Sequence, residues 1–174
     1  MRKLLNEELD RLSVSRFRES EKTPIIVVLD NIRSLNNVGA VFRTADAYRI
    51  EKIYLCGITA QPPHKDIRKT ALGATETVAW EYRESTVEVV QELNELGVHT
   101  CAIEQAERSV TLHSFKPTAH KIAVVMGNEV KGVQQEVVDQ CTHVIELQQY
   151  GTKHSLNIAV CTGIVLYDFY YKMV

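Results

Sequence analysis

The chain has 174 residues, of which 45% are apolar and 24% charged, with a net charge of −2. These proportions fit one globular domain with a real core, and no apolar run is long enough to span a membrane or to form a signal-peptide core. A pI of about 6.3 is not the global signature of a nucleic-acid binder.

Met1-Arg2-Lys3-Leu4-Leu5-Asn6-Glu7-Glu8 reads as an exposed amphipathic helix, and residues 1–23 as a helical appendage to a domain over 24–174. Ile25-Ile26-Val27-Val28-Leu29 is a short β-branched run that predicts a buried strand. Asn37, or the residue before it, caps a predicted helix to about Tyr48, with Val38, Val41, Phe42 and Ala45 facing inward. Ile53–Cys56 predicts a second strand. Pro62-Pro63 breaks the chain before a short helix over Asp66–Leu72, and Val78–Tyr82 predicts another strand.

Thr86–Leu96 carries Val87, Val90, Leu93 and Leu96 at helical spacing and stops at Gly97. Val98–Ile103 is strand-like. Lys121–Met126 is the clearest buried strand, ending at Gly127. A short helix over Val133–Asp139, a strand over His143–Leu147 and a long apolar helix over Leu156–Tyr171 complete the order, with Ser155 as the expected cap of the last. Strands alternating with helices predict an α/β fold, a parallel sheet covered on both faces.

Cys56, Cys101, Cys141 and Cys161 form no CxxC and sit in or beside apolar runs, which predicts free thiols and a reducing, cytoplasmic setting. The six histidines lack zinc-like spacing, so no metal is expected. Basic residues gather at Arg11, Arg16, Arg18, Lys22, Arg33, Arg43, Lys65, Arg68, Lys69, Lys131 and Lys153, and acidic ones over Glu84–Glu107. That pattern is compatible with a polarised surface and with scattered solvated charges.

Three segments concentrate polar groups at the ends of apolar elements: Asn37-Val38-Gly39-Ala40-Val41-Phe42-Arg43, Gly127-Asn128-Glu129, and Ser155-Leu156-Asn157. Taken singly, each reads as a helix cap or a strand-to-helix turn. Neither GxGxxG nor GxxxxGK[ST] occurs, so a dinucleotide fold or a P-loop lacks its expected turn. Arg43 among Val41, Phe42 and Ala45 offers a planar fork suited to carboxylate or phosphate. Asn157 offers an amide that can both donate and accept.

Together and in this order, the three segments resemble the motif set of the SpoU/TrmH-type methyltransferases of the SPOUT superfamily. Lys69-Thr70-Ala71-Leu72-Gly73-Ala74 resembles the family's Thr-x-x-Gly-Ala segment, and the likeness covers roughly residues 24–172. The resemblance implies a parallel-sheet SPOUT domain whose C-terminal segment forms a deep trefoil knot. It implies transfer of a methyl group from S-adenosylmethionine to a ribose 2′-hydroxyl of RNA, without a metal. It places catalytic positions on Asn37, Arg43, Glu129, Ser155 and Asn157, and cofactor contacts on Ile103, Glu104, Gly127, Leu147 and Leu156. It also implies a homodimer with the site at the interface, to which Tyr167, Tyr170 and Tyr171 of the last helix contribute; packing on the chain's own core is the other explanation of that stripe.

Asn37 and Glu129 are then expected to hold Arg43 or to shape the pocket. Two departures stand out. Leu147-Gln148-Gln149 replaces the family's Ile-Pro-Met, and Val130 stands where many members have glycine. The short leading segment suggests a tRNA enzyme. Ribosomal RNA, or a noncatalytic RNA-binding role on the same fold, is the alternative.

Overall fold

The computed structural model describes residues 1–174, apart from the side chain of Asn6. Seven strands form one sheet: β1 Thr23–Asp30, β2 Ile50–Cys56, β3 Trp80–Arg83, β4 His99–Ile103, β5 Val110–Thr111, β6 Ile122–Met126 and β7 His143–Glu146. Their order is β3-β2-β1-β6-β4-β7-β5, and every pairing is parallel. The helices are α1 Val14–Glu19, α2 Leu35–Ala47, α3 Lys65–Ala71, α4 Ala74–Thr77, α5 Thr86–Glu95, α6 Gln135–Gln140 and α7 Ile158–Met173.

All five residues of β6 are buried, because helices cover both faces of the central strands. Alternate residues divide between two cores. Ile25, Val27 and Leu29 pack with Phe42 of α2, Val165 and Phe169 of α7, and Phe17 of α1. Ile26 and Val28 pack with Val89, Val90 and Leu93 of α5 and Val137 of α6.

Sequence and structure differ at several ends. Ser34 caps α2, its hydroxyl accepting from Asn37 N at 3.3 Å, so Asn37 lies inside the first turn. Asn157, not Ser155, caps α7: its Oδ1 accepts from Ala159 N at 2.9 Å and from Val160 N at 3.4 Å. The expected helix over residues 1–8 is only a 3-10 turn at Asn6–Glu8, and helix forms instead at α1, where Phe17 supplies an apolar anchor. Strand β5 and helix α4 were not predicted.

Register explains where a site can form. Leu29 pairs with Met126, Met126 with Ile103, and Ile103 with Ile145. Those residues form one row across β1, β6, β4 and β7. The next residues, Asp30, Gly127, Glu104 and Glu146, therefore emerge together at the carboxyl edge. Open parallel sheets bind ligands at this edge, where strand order reverses.

Candidate active site at the strand ends

The loop after β6 folds back on itself, with Asn128 and Gly132 exchanging two backbone hydrogen bonds of 2.9 Å. Gly127 permits this. A Cβ there would stand 2.2 Å from both Gly132 C and Val133 N, inside any real contact distance. Asn128 fixes the turn locally, its Oδ1 accepting from Val130 N at 2.9 Å and Lys131 N at 3.1 Å. Its Nδ2 donates to Asn31 O at 2.7 Å, tying this loop to the one after β1.

Glu129 strengthens that tie. Its carboxylate accepts from Arg33 N, Ser34 N and Asn37 Nδ2, each at 3.0 Å. Asn157 Nδ2 in turn donates to Asn37 Oδ1 at 3.1 Å. One chain of hydrogen bonds, Glu129–Asn37–Asn157, thus joins the three motif segments. Burial pushes the Glu129 carboxyl up, but the donors from Arg33, Asn37 and Ser34 outweigh it and hold the group below its ordinary value.

Asp30 was missed by sequence reasoning. It is fully buried and accepts from Thr86 Oγ1 at 2.7 Å, Gln134 N at 2.9 Å and Asn31 Nδ2 at 2.9 Å. The available signal was an acidic residue closing an apolar strand, a position that needs partners when buried.

Beneath these loops lies a cavity of about 450 Å³, within the usual range for a small-molecule site. Ile103, Glu104, Gly127, Leu147 and Leu156 line it, as do Glu129, Ser155 and Asn157. Glu104 Oε1 accepts from Gln105 N and Oε2 from Val133 N, both at 2.9 Å, so its carboxylate braces the far side of the folded-back loop. Gln149 and Val130, which belong to the two departures, also line the cavity.

Arg43 stands apart. It lies six residues beyond Asn37 on α2, which puts the two side chains about 120° apart around the helix. Its side chain is exposed, forms no hydrogen bond or ion pair among the described residues, and does not line the cavity. Glu129 and Asn37 therefore hold each other and the loops, not Arg43. The Thr70-Ala71-Leu72-Gly73-Ala74 segment is structural in its contacts: Thr70 Oγ1 donates to Asn36 O at 3.0 Å, fastening α3 to α2.

The sequence profile of the SpoU rRNA methylase family matches residues 24–167. The chain belongs to the SpoU rRNA methylase family. One relative is the 23S rRNA (guanosine-2′-O-)-methyltransferase RlmB of Neisseria meningitidis, 29% identical over 82% of this chain and 56% of its own length. This chain thus spans little more than half of that relative. Among solved structures, the Aquifex aeolicus TrmH/SpoU tRNA modifying enzyme superposes with a TM-score of 0.81 at 28% identity, over 91% of this chain and 81% of that one. The AdoMet-bound rRNA methyltransferase of Sinorhizobium meliloti superposes with a TM-score of 0.79 at 25% identity, over 91% of this chain and 60% of that one. The shared SpoU fold is an α/β fold built on a parallel sheet.

Proposed function

We propose that this SpoU protein transfers the methyl group of S-adenosylmethionine to a ribose 2′-hydroxyl of RNA. The observation that carries the reading is the Glu129–Asn37–Asn157 hydrogen-bond chain at the rim of the cavity. It draws three distant segments into one polar cluster beside a pocket of suitable size. A tRNA is the first substrate class, supported by the likeness to the Aquifex enzyme; rRNA is the second, supported by the Neisseria relative.

The residues present fit the methyl donor. Ile103, Leu147 and Leu156 offer apolar surface for the adenosine, and Gly127 lines the same cavity. When bound, the donor supplies an electrophilic methyl on a sulfonium. The ribose oxygen would form its bond to that carbon as the carbon–sulfur bond breaks, the sulfur keeping the electron pair and the hydroxyl proton passing to solvent water. Alignment supplies much of the acceleration in such a displacement.

Asn157 and Ser155 orient the hydroxyl at the cavity rim. Glu129 is an organiser of the loops and a poor proton acceptor, because three donors hold its carboxylate below its ordinary value. Arg43 lies outside its own chain's cavity and so serves the cavity of a second copy, where its permanent positive charge meets the ribose oxygen and adjacent phosphate and stabilises developing alkoxide without acting as a base.

A homodimer completes the proposal. Val160, Ile164, Tyr167 and Tyr171 are 40–68% exposed and form one stripe along α7. That stripe begins beside Asn157, so a second copy packed on it would flank the cavity. A C-terminal deep trefoil knot, residues 1–23 as an appendage and a cytoplasmic setting belong to the same reading; the four free cysteines support the last.

Labelled methyl transfer to separate tRNA and rRNA pools tests the function. Incorporation into one pool, abolished in Arg43→Ala with cofactor affinity unchanged, is the expected result. Undiminished turnover in that variant would remove Arg43 from the mechanism.

A further inference from the structure

The cavity holds a carboxylate that has no ion-pair partner among the described residues. Glu104 directly follows β4 and lines the cavity. Its two oxygens accept from Gln105 N and Val133 N, which fix its direction but leave its charge in place. Among the described residues it forms no ion pair, unlike the surface glutamates Glu51, Glu81 and Glu92. Its field reaches across the pocket to Cys161 of α7, which also lines it. Burial pushes that thiol up to about 11, and the negative charge of Glu104 adds to the shift.

We propose that Glu104 is a specificity residue that makes the cavity prefer a cationic sulfonium to a neutral thioether. This rests on the methyltransferase reading above. The methyl donor and its demethylated product share every other group, and differ in formal charge only at sulfur. A fixed carboxylate in a half-enclosed pocket therefore separates them by charge, and specificity is that difference in affinity. The neutral product loses the attraction when the methyl group leaves, which speeds its release.

The rest of the site does not duplicate this role. Glu129 keeps its charge too, but its carboxylate is directed at Arg33 N, Ser34 N and Asn37 Nδ2 in the loop after β1 and in α2. Lys131 and His154 also line the cavity, and each, if charged, opposes a cation.

Direct binding by calorimetry tests the proposal without turnover. Wild-type protein should bind S-adenosylmethionine about tenfold more tightly than S-adenosylhomocysteine, the scale of one charge pair several ångströms apart in a partly screened pocket. Sinefungin, which carries a protonated amine where the sulfonium stands, should behave as the cation does. Glu104→Gln should erase most of the preference by weakening the two cations alone, and Glu104→Asp should retain it. If Glu104→Gln weakens all three ligands equally, the carboxylate only braces the loop and the proposal fails. Equal binding of the three by wild-type protein overturns it without recourse to any variant. A wild type that binds none of them overturns the methyltransferase reading itself, and this inference with it.

Discussion

At the scale of single residues, the site depends on short polar side chains that each satisfy two partners. Asn37 donates to Glu129 and accepts from Asn157, so Asn37→Ala cuts the chain in the middle. We expect methyl transfer to fall about 100-fold, the usual consequence of misplacing reacting groups by an ångström. Steady-state kinetics with a thermal melt would check this; a large loss of melting temperature would make the effect structural. Glu129 sets an acid limit. Its carboxyl is held below the ordinary value in the fold, so its contribution is complete above pH 4.5 and is lost as pH falls through the lowered value. Glu129→Gln should flatten that acid limb of cofactor binding, measured by titration at decreasing pH. Much of this was legible in the sequence, because Asn37, Glu129 and Asn157 stood out as polar groups at the ends of apolar runs. The bonds between them were not, since they join residues 92 and 120 positions apart. Asp30 was passed over because its partners Thr86 and Gln134 lie 56 and 104 positions away.

At the scale of elements, the long periodic segments were the readable ones. Strands β1 and β6 and helices α2, α5 and α7 are apolar enough to declare themselves. Helix α4 and strand β5 have four and two residues, too few to show a period. The ends of helices slipped for a chemical reason: Ser34 and Asn157 both compete with neighbours that could cap equally well. The amino ends of β4 and β7 hold a feature no pattern announced. His143 Nε2 lies 3.3 Å from His99 Nδ1, with the Phe115 ring centred 5.0 Å from that of His143. Burial, and then the charge of His99, hold His143 below its ordinary value. The fold thus favours the neutral ring, and stability is complete above pH 6.5 and declines as pH falls below it. Wild-type protein should melt a few degrees lower at about pH 5.5 than at about pH 7.5, and His143→Asn should reduce that difference. An unchanged difference in the variant would assign the acid sensitivity elsewhere.

At the scale of the whole molecule, one stripe of α7 remains without a partner. Helix α7 buries Ile158, Thr162, Val165, Leu166 and Phe169 against the sheet and α2. Its opposite face presents Val160, Ile164, Tyr167 and Tyr171, with Tyr48 in edge contact with Tyr167. A contiguous apolar face of this kind marks an association surface, and a closed two-fold pair is the commonest way to cover one. Ile164→Asp should convert a dimer to a monomer in sedimentation while the fold persists, because that side chain is 40% exposed in the single chain. A wild type that sediments as a monomer at micromolar concentration would contradict the dimer. Parallel-sheet architecture was legible from strand and helix alternation, whereas the gathering of Glu104, Gly127 and Leu147 around one cavity depends on register, which no local pattern carries.

The central claim is chemical: the cluster at the strand ends directs a methyl group to a ribose oxygen. Mass spectrometry of nucleosides from RNA methylated by this protein tests it most directly. The expected result is a modified nucleoside whose added methyl leaves with the sugar on fragmentation, and no product when the target ribose lacks its 2′-hydroxyl. A methyl group retained on the base, or transfer that persists on the 2′-deoxy substrate, would contradict it.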